Sequence, residues 1–253
     1  MNSIWSSALI FIFVLVGTAI GLILRAVLPS HHLSEESRDA VKLGVGLIAT
    51  LTALVLGLLV SSAKGSFDTV NTSLTECGAK VILLDHTLAA YGPEAAPARA
   101  QLRRSIQNAV TMFWPGQGKK MGGLNAFEKG DGMERIQAEL RQLAPQSDAQ
   151  RSLQAQAIQF SNDLLGSRWL MIERAQLTLP PIFFIMLLFW LTVLFACFGL
   201  LAPRNETVIV VLLVSAMSVT GAMFLIEEMN TPLSGVMKIS SAPITKALEH
   251  IGK

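Results

Sequence analysis

The residues best placed to do chemistry share one helix face. Positions 47, 50, 54, 57, 61, 64 and 68 step by three or four, which puts them on one side of an α-helix. They are Leu47, Thr50, Leu54, Gly57, Ser61, Lys64 and Asp68. The stripe is mildly polar inside an uncharged run and charged beyond it. Repeated around a symmetry axis, one hydroxyl per chain becomes a belt of oxygens that replaces part of a cation's hydration shell. The plainer reading of the same glycine and hydroxyls is close helix packing in a membrane. A second acidic feature, Glu227-Glu228, ends another apolar run. Its plain reading is an interfacial pair; its functional reading is a carboxylate that faces a water-filled path and attracts cations. The candidate lining is therefore Leu47, Thr50, Leu54, Gly57 and Ser61, and the candidate mouth is Lys64, Asp68, Glu227 and Glu228.

Other chemistry is not offered. The run Pro115-Gly-Gln-Gly-Lys-Lys120 lacks the GxxxxGK[ST] spacing of a phosphate-binding loop and follows a helix rather than a strand. There is no HExxH, CxxC or GxSxG, and no calcium loop of the D-x-[DN]-x-[DN]-G type. Of the four histidines, His31 and His32 read as a solvated loop pair and His86, beside Asp85, as a polar helix-face residue. Cys77 and Cys197 fall in different regions and read as small buried hydrophobes rather than a disulfide. The expectation is no enzyme, no cofactor and no metal.

The elements that position the stripe follow from composition. Half of the 253 residues are hydrophobic and 15% are charged, against about 25% charged in soluble domains. The excess sits in four blocks, Ile4–Leu24, Leu43–Ala63, Ile182–Ala202 and Thr207–Ile226, each of 20 or 21 residues without a charge. A spanning helix needs about 20 such residues, and in hydrocarbon only a helix or closed barrel satisfies its own backbone. Four transmembrane helices are predicted. The chain opens with MNSIWSS, which has no Lys or Arg, and the apolar run of the first block is longer than a signal-peptide core, so it is read as a retained helix. The net charge of +2 gives no reason to expect a nucleic-acid partner.

In chain order, Trp5 is an interfacial anchor, Arg25 snorkels at the far end, and Pro29 ends the first helix. The second helix starts near Ser34, with Glu35 and Glu36 favourable in its first turn. It runs through Leu43–Ala63 and on to Gly92-Pro93 without a proline. Past the membrane block an apolar seam takes over, Phe67, Val70, Leu74, Cys77, Val81, Leu84 and Leu88, which calls for partner helices. The rest of 64–177 reads as helical, with no useful strand alternation. One helix starts near Pro93 and carries Ala98, Leu102, Ile106, Val110 and Phe113 inward until Trp114-Pro115-Gly116. A flexible loop with six glycines covers 115–132, and a helix spans Gly132–Ala144. A long helix follows, opened by a Ser147/Gln150 capping box, buried at Leu153, Ala157, Phe160 and Leu164, and reaching Leu177. Pro180-Pro181 marks re-entry into the membrane.

The third block is bulky (Phe183, Phe184, Phe189, Trp190, Phe195, Phe198), which suits an outer, lipid-facing position. Pro203–Glu206 allows only a tight hairpin, and Ser215, Ser218, Gly221 and Ala222 in the fourth block allow close helix contact. The tail ends amphipathically at Ile244, Ala247, Leu248 and Ile251. Domain boundaries on this reading are 1–63 for helices one and two, 64–177 for the helical domain, 178–228 for helices three and four, and 229–253 for the tail. Four spans put both termini and the central domain on one side. That side carries Lys64, Lys80, Arg168, Arg174, Lys238 and Lys246 near the membrane, against Arg25, Arg38, Lys42 and Arg204 on the other. The bias favours a cytoplasmic domain.

Four segments carry a family likeness: LGLLVSSAKGSFDT, VILLDHTLAAYGPEA, FWLTVLFACFGLLAPRN and ISSAPITKALEHIG. With them the chain from Leu43 onward resembles the bacterial bestrophin-like membrane family. The resemblance implies an all-α membrane protein of bestrophin type. In that architecture four membrane helices and a helical cytoplasmic domain form homo-oligomeric channels in the bacterial inner membrane, around a pore lined by the second helix. Bestrophins proper conduct anions through an apolar neck, while bacterial relatives can prefer cations. Here Thr50, Leu54, Gly57 and Ser61 stand in place of the phenylalanines that bestrophins put on that helix, so anion selectivity does not carry over.

The leading expectation is a homo-oligomeric (pentameric or tetrameric) channel for small ions in a lipid membrane. No basic residue lies inside the second block and acids lie at its ends, which favours monovalent cations such as K⁺; Lys64 speaks for chloride. The alternatives are a bestrophin-type anion channel and a non-conducting scaffold or sensor. A small-molecule transporter would call for interrupted helices or an internal repeat, and neither is visible.

Overall fold

Of the two ways a chain can satisfy its backbone in lipid, helix or closed barrel, these apolar runs take the helix. The structure, a computed structural model, describes residues 3–29, 34–114, 132–176, 181–203, 205–233 and 235–252. His31, His32, the loop 115–131, Leu177 and Pro180 lie outside the described residues, as do the expectations made for them. Among the described residues there are eight α-helices and no strand: α1 Ser3–Val27, α2 Glu35–Tyr91, α3 Ala96–Phe113, α4 Gly132–Gln142, α5 Asp148–Gln176, α6 Pro181–Leu201, α7 Glu206–Met229 and α8 Ala242–His250. Four of them, α1, α2, α6 and α7, are long and apolar enough to cross a membrane. The chain divides into two compact units, Met1–Ser66 with Thr178–Thr231, and Phe67–Leu177 with Pro232–Lys253.

The first unit is organised by the contacts of α1 with α6 and α7. The α1–α6 seam is glycine-built. A Cβ on Gly17 would come within 2.6 Å of the Thr192 carbonyl oxygen, one on Gly21 would meet the Ala196 carbonyl, and one on Gly199 the Thr18 carbonyl. Backbones approach this closely only where side chains are absent, the small-xxx-small device of membrane helices. Thr18 and Thr192 turn their hydroxyls back to the Val14 and Leu188 carbonyls, so the seam carries no stray donors from them. This corrects one expectation. Bulky α6 is not an outer helix along its whole length, because Leu187, Leu191, Leu194 and Phe195 are buried while Phe183 and Phe189 are exposed. Of the small residues of α7, Ser215 and Ala222 are half-buried, while Ser218 and Gly221 are exposed and a Cβ on Gly221 would touch nothing within 4 Å.

The second unit is a helical cluster with one apolar core. The seam expected on α2 faces it: Val70, Leu74, Cys77, Val81, Leu84 and Leu88 are buried with Phe67 partly so. They meet Ala98, Leu102 and Ile106 of α3, Ile136 and Leu140 of α4, Ala157 and Leu164 of α5, and Ile239, Ile244, Ala247 and Ile251 of the tail. Local signals set the boundaries. Ser34 Oγ accepts from Ser37 N–H at 3.3 Å and caps α2; Gly92, at φ 125°, releases the chain into a 3₁₀ turn, Pro93–Ala95. At α5, Ser147 Oγ accepts from Gln150 N–H at 3.1 Å. The return bond of that box goes one residue further back, from Gln146 N–H to Gln150 Oε1 at 2.8 Å. The helix over 132–142 stops two residues short of Ala144, before Pro145.

Candidate functional site

The membrane half of α2 has a packed side and a bare side. Val45, Thr52, Leu59 and Ala63 are at most 7% exposed and recur on one face. At about 100° per residue, Leu47, Thr50, Leu54, Gly57 and Ser61 fall within about 45° of the line diametrically opposite. Leu47 is 64% and Leu54 61% exposed. Thr50, Gly57 and Ser61 are exposed too, and a Cβ on Gly57 would meet nothing within 4 Å. The predicted stripe is therefore the face of α2 that a single chain leaves uncovered. Lys64 and Asp68 are exposed on the same helix.

The hydroxyls on α2 differ in what they offer. Thr50 donates its proton to the Gly46 carbonyl at 2.9 Å, and buried Thr52 donates to Ile48 at 2.7 Å. A threonine whose single proton is committed to its own helix presents only oxygen lone pairs outward. Thr50 thus faces the uncovered side as an acceptor.

The acidic pair on α7 sits differently from the surface carboxylates expected at a mouth. Glu228 has no exposed surface, and Glu227 is half-buried with its Oε2 shielded and without a hydrogen-bond partner. Both lie inside α7, which runs on to Met229. Neither is brought beside the uncovered stripe as an open, water-facing group of one chain.

A charged centre in the second unit went unread in the sequence. Asp85, on the buried side of α2, receives Arg99 Nε at 2.8 Å and Nη2 at 2.9 Å, a two-pronged pair. Its Oδ2 also accepts the Gly252 N–H at 3.2 Å, which ties the tail to the helix. Trp114 Nε1 holds the Ile239 carbonyl at 2.8 Å, and Gly78 lets the Pro243 backbone come close. The hydrogen bonds to Asp85 hold the Arg99 guanidinium above its ordinary range. The available signal was phase: Asp85 follows Val81 and precedes Leu88 on the seam, and a carboxylate there needs a partner. His86, its neighbour, points outward as expected. Cys77 is buried, and that burial pushes its thiol up; it and Cys197 are both unbridged. Among the described residues, no three His, Cys, Asp or Glu side chains converge as a metal site.

Comparison with known proteins places this geometry. Among curated proteins, none matches the sequence. Among solved structures, one variant of a bacterial bestrophin homologue from Klebsiella pneumoniae is similar at 15% identity with a TM-score of 0.65, over 96% of this chain and 97% of that one. A second variant of that homologue is similar at 14% identity with a TM-score of 0.64, over 99% and 97%. A structure described as a membrane protein is similar at 15% identity with a TM-score of 0.63, over 96% and 97%. These likenesses show the bestrophin fold. The sequence profile of the Bestrophin-like domain matches residues 11–244, nearly the whole chain. The chain belongs to the bestrophin-like family.

Proposed function

We propose that this chain is one subunit of a homo-oligomeric ion channel whose central pore is lined by the 47–61 face of α2. The observation that carries the reading is the bareness of that face. Leu47, Thr50, Leu54, Gly57 and Ser61 lie opposite the packed side of the helix and have no cover within the chain. A ring of four or five subunits would bring these faces together around an axis, with leucine and hydroxyl belts alternating along it. Family membership supports the class of function, since bestrophins are ion channels.

The cation preference rests on Thr50. Its proton bonded to Gly46 leaves acceptor oxygen toward the path, and a ring of such oxygens substitutes for water around a monovalent cation such as K⁺. Exposed Asp68 extends the acidic character, and exposed Lys64 is the observation on the side of an anion pathway. Glu228 enters this account as a buried group of α7 rather than as mouth lining. The excess of Lys and Arg on the side of the termini supports an inner-membrane orientation with the helical domain in the cytoplasm.

Purified protein in liposomes tests the class of function: ion flux is expected, and no flux for any small ion sinks it. Reversal potentials under a KCl gradient then fix the sign of the permeating ion. A potential on the chloride side overturns the Thr50 argument while leaving the channel standing.

A further inference from the structure

Gly17 and Gly21 of α1 and Gly199 of α6 each sit where another backbone of the same chain comes close. Glycine costs a helix about 1 kcal/mol relative to alanine, and close approach is what it allows in return. The glycines in the membrane half of α2 have no such neighbour. Gly46 and Gly57 are exposed, and a Cβ on either would meet nothing within 4 Å. Nothing within the chain uses the room they leave.

The bare side of this half of α2 has two unlike edges. Thr50 and Leu54 lie nearest the line opposite the packed side. At about 100° per residue, Gly57, Gly46 and Ala53 lie about 45–85° to one side of that line, and Leu47, Leu58 and Leu51 about 35–75° to the other. All six are exposed and uncharged. One edge is small and the other large. Gly44 and Ser62, at the two ends of the run, fall beyond the leucines. In a ring of four or five identical helices, each neighbour lies about 50° off the line to the axis, which is where these edges are. Rotational symmetry keeps residues of like number at like depth. Ala53 and Leu51 differ by about 3 Å along the helix, and Gly57 and Leu58 by about 1.5 Å.

We propose that α2 helices of neighbouring copies of this chain pack edge to edge, with Gly46, Ala53 and Gly57 of one receiving Leu47, Leu51 and Leu58 of the next. This rests on the channel reading above and adds the subunit contact it requires, since one chain supplies only one wall of a path. The contact is heterologous: two different edges of the same helix meet, so each copy binds one neighbour on either side and the series closes into a ring. Leucine side chains enter the space that absent side chains leave, as small residues allow between membrane helices. Lipid would cover the leucines equally well, but it gives no use to glycine and alanine on the opposite edge. Alanine already belongs to the small edge, so one methyl at Gly57 is accommodated there and a large side chain is not.

The test is oxidative cross-linking of the full chain in liposomes, with ion flux measured on the same preparation. Leu51→Cys and Ala53→Cys are made singly and together, and wild type is the control for Cys77 and Cys197. The two introduced thiols point to opposite sides of one helix, so they cannot meet the Cβ spacing of a disulfide within a chain. The expected result on a non-reducing gel is a ladder of covalent bands up to the whole ring for the double variant, with neither single variant above wild type. A size exchange checks the contact without thiols. Ala53→Leu should lower the oligomeric fraction on size-exclusion chromatography severalfold, and adding Leu51→Ala should restore it. Dimers from Leu51→Cys alone, as strong as those of the double variant, would mean like edges meet and would overturn the heterologous contact. So would a conducting protein whose double variant gives no ladder and whose Ala53→Leu variant stays oligomeric, and the channel reading would then stand without it. A wild type that carries no ion flux overturns the channel reading, and the ladder then decides the contact by itself.

Discussion

Two glycines on membrane helices, given the same extra methyl group, should respond with opposite signs. Gly21→Ala drives a Cβ into the Ala196 carbonyl on α6, whereas Gly57→Ala places it in open space on α2. Helix propensity alone favours either change by about 1 kcal/mol. For Gly57 nothing opposes that gain, so the variant should be as stable as wild type or slightly more so. At Gly21 the helices must part. Gly17 shows the scale: its Cβ would lie 2.6 Å from the Thr192 oxygen, and relaxed C···O contacts need about 3.3 Å or more. Opening the seam by about 0.5–1 Å forfeits a quarter to a half of the dispersion energy across it. Overpacking of this kind costs about 1–3 kcal/mol, and the Gly21 overlap belongs at the upper end. Subtracting the propensity gain leaves a net loss of about 2 kcal/mol. The two variants should therefore differ by about 3 kcal/mol despite identical chemistry. Thermal unfolding of detergent-solubilised protein, followed by tryptophan fluorescence, measures the difference as a gap in apparent Tm. Equal melting of the Gly21→Ala variant and wild type would refute the close α1–α6 seam.

Removing the carboxylate in Asp85→Ala strands the partly buried Arg99 guanidinium and the Gly252 N–H; we expect a loss of about 2–4 kcal/mol in urea unfolding. Faster proteolysis of the tail should accompany it, and unchanged tail protection would count against the tie. Cys77, buried and with its thiol pushed up by that burial, should react slowly with maleimide at pH 8 in folded protein and rapidly in denaturant. Fast modification of the folded protein would show that the α2 seam is open.

Long-range patterning made much of this fold legible. The four spans needed only counts of uncharged residues, and the α2 seam from Val70 to Leu88 needed only its period. The tail helix was readable for the same reason, since Ile244, Ala247 and Ile251 recur on one side and are buried there. What failed was the choice of partner, which one-dimensional periodicity does not encode. Bulk on α6 looked lipid-facing, yet Gly199 and the backbone at Thr192 and Ala196 are what α1 packs against. The clue was on α1 itself, where Gly17 and Gly21 form a GxxxG spacing. Small residues on α7 permit close contact, and within one chain Ser215 and Ala222 are half-buried while Ser218 and Gly221 stay exposed. Asp85 was passed over beside His86 because its partner, Arg99, is 14 positions away on another helix.

The central claim, that the 47–61 face of α2 lines the ion path, is tested most directly at Leu54, the middle of the stripe. Single channels of a Leu54→Cys variant would be recorded in a planar bilayer before and after a positively charged thiosulfonate reagent, with wild type as the control for Cys77 and Cys197. The account predicts an abrupt, lasting loss of unitary current in the variant and none in wild type. Full current after mass spectrometry shows the introduced thiol modified would contradict it, and would place that face against lipid or a neighbouring helix instead.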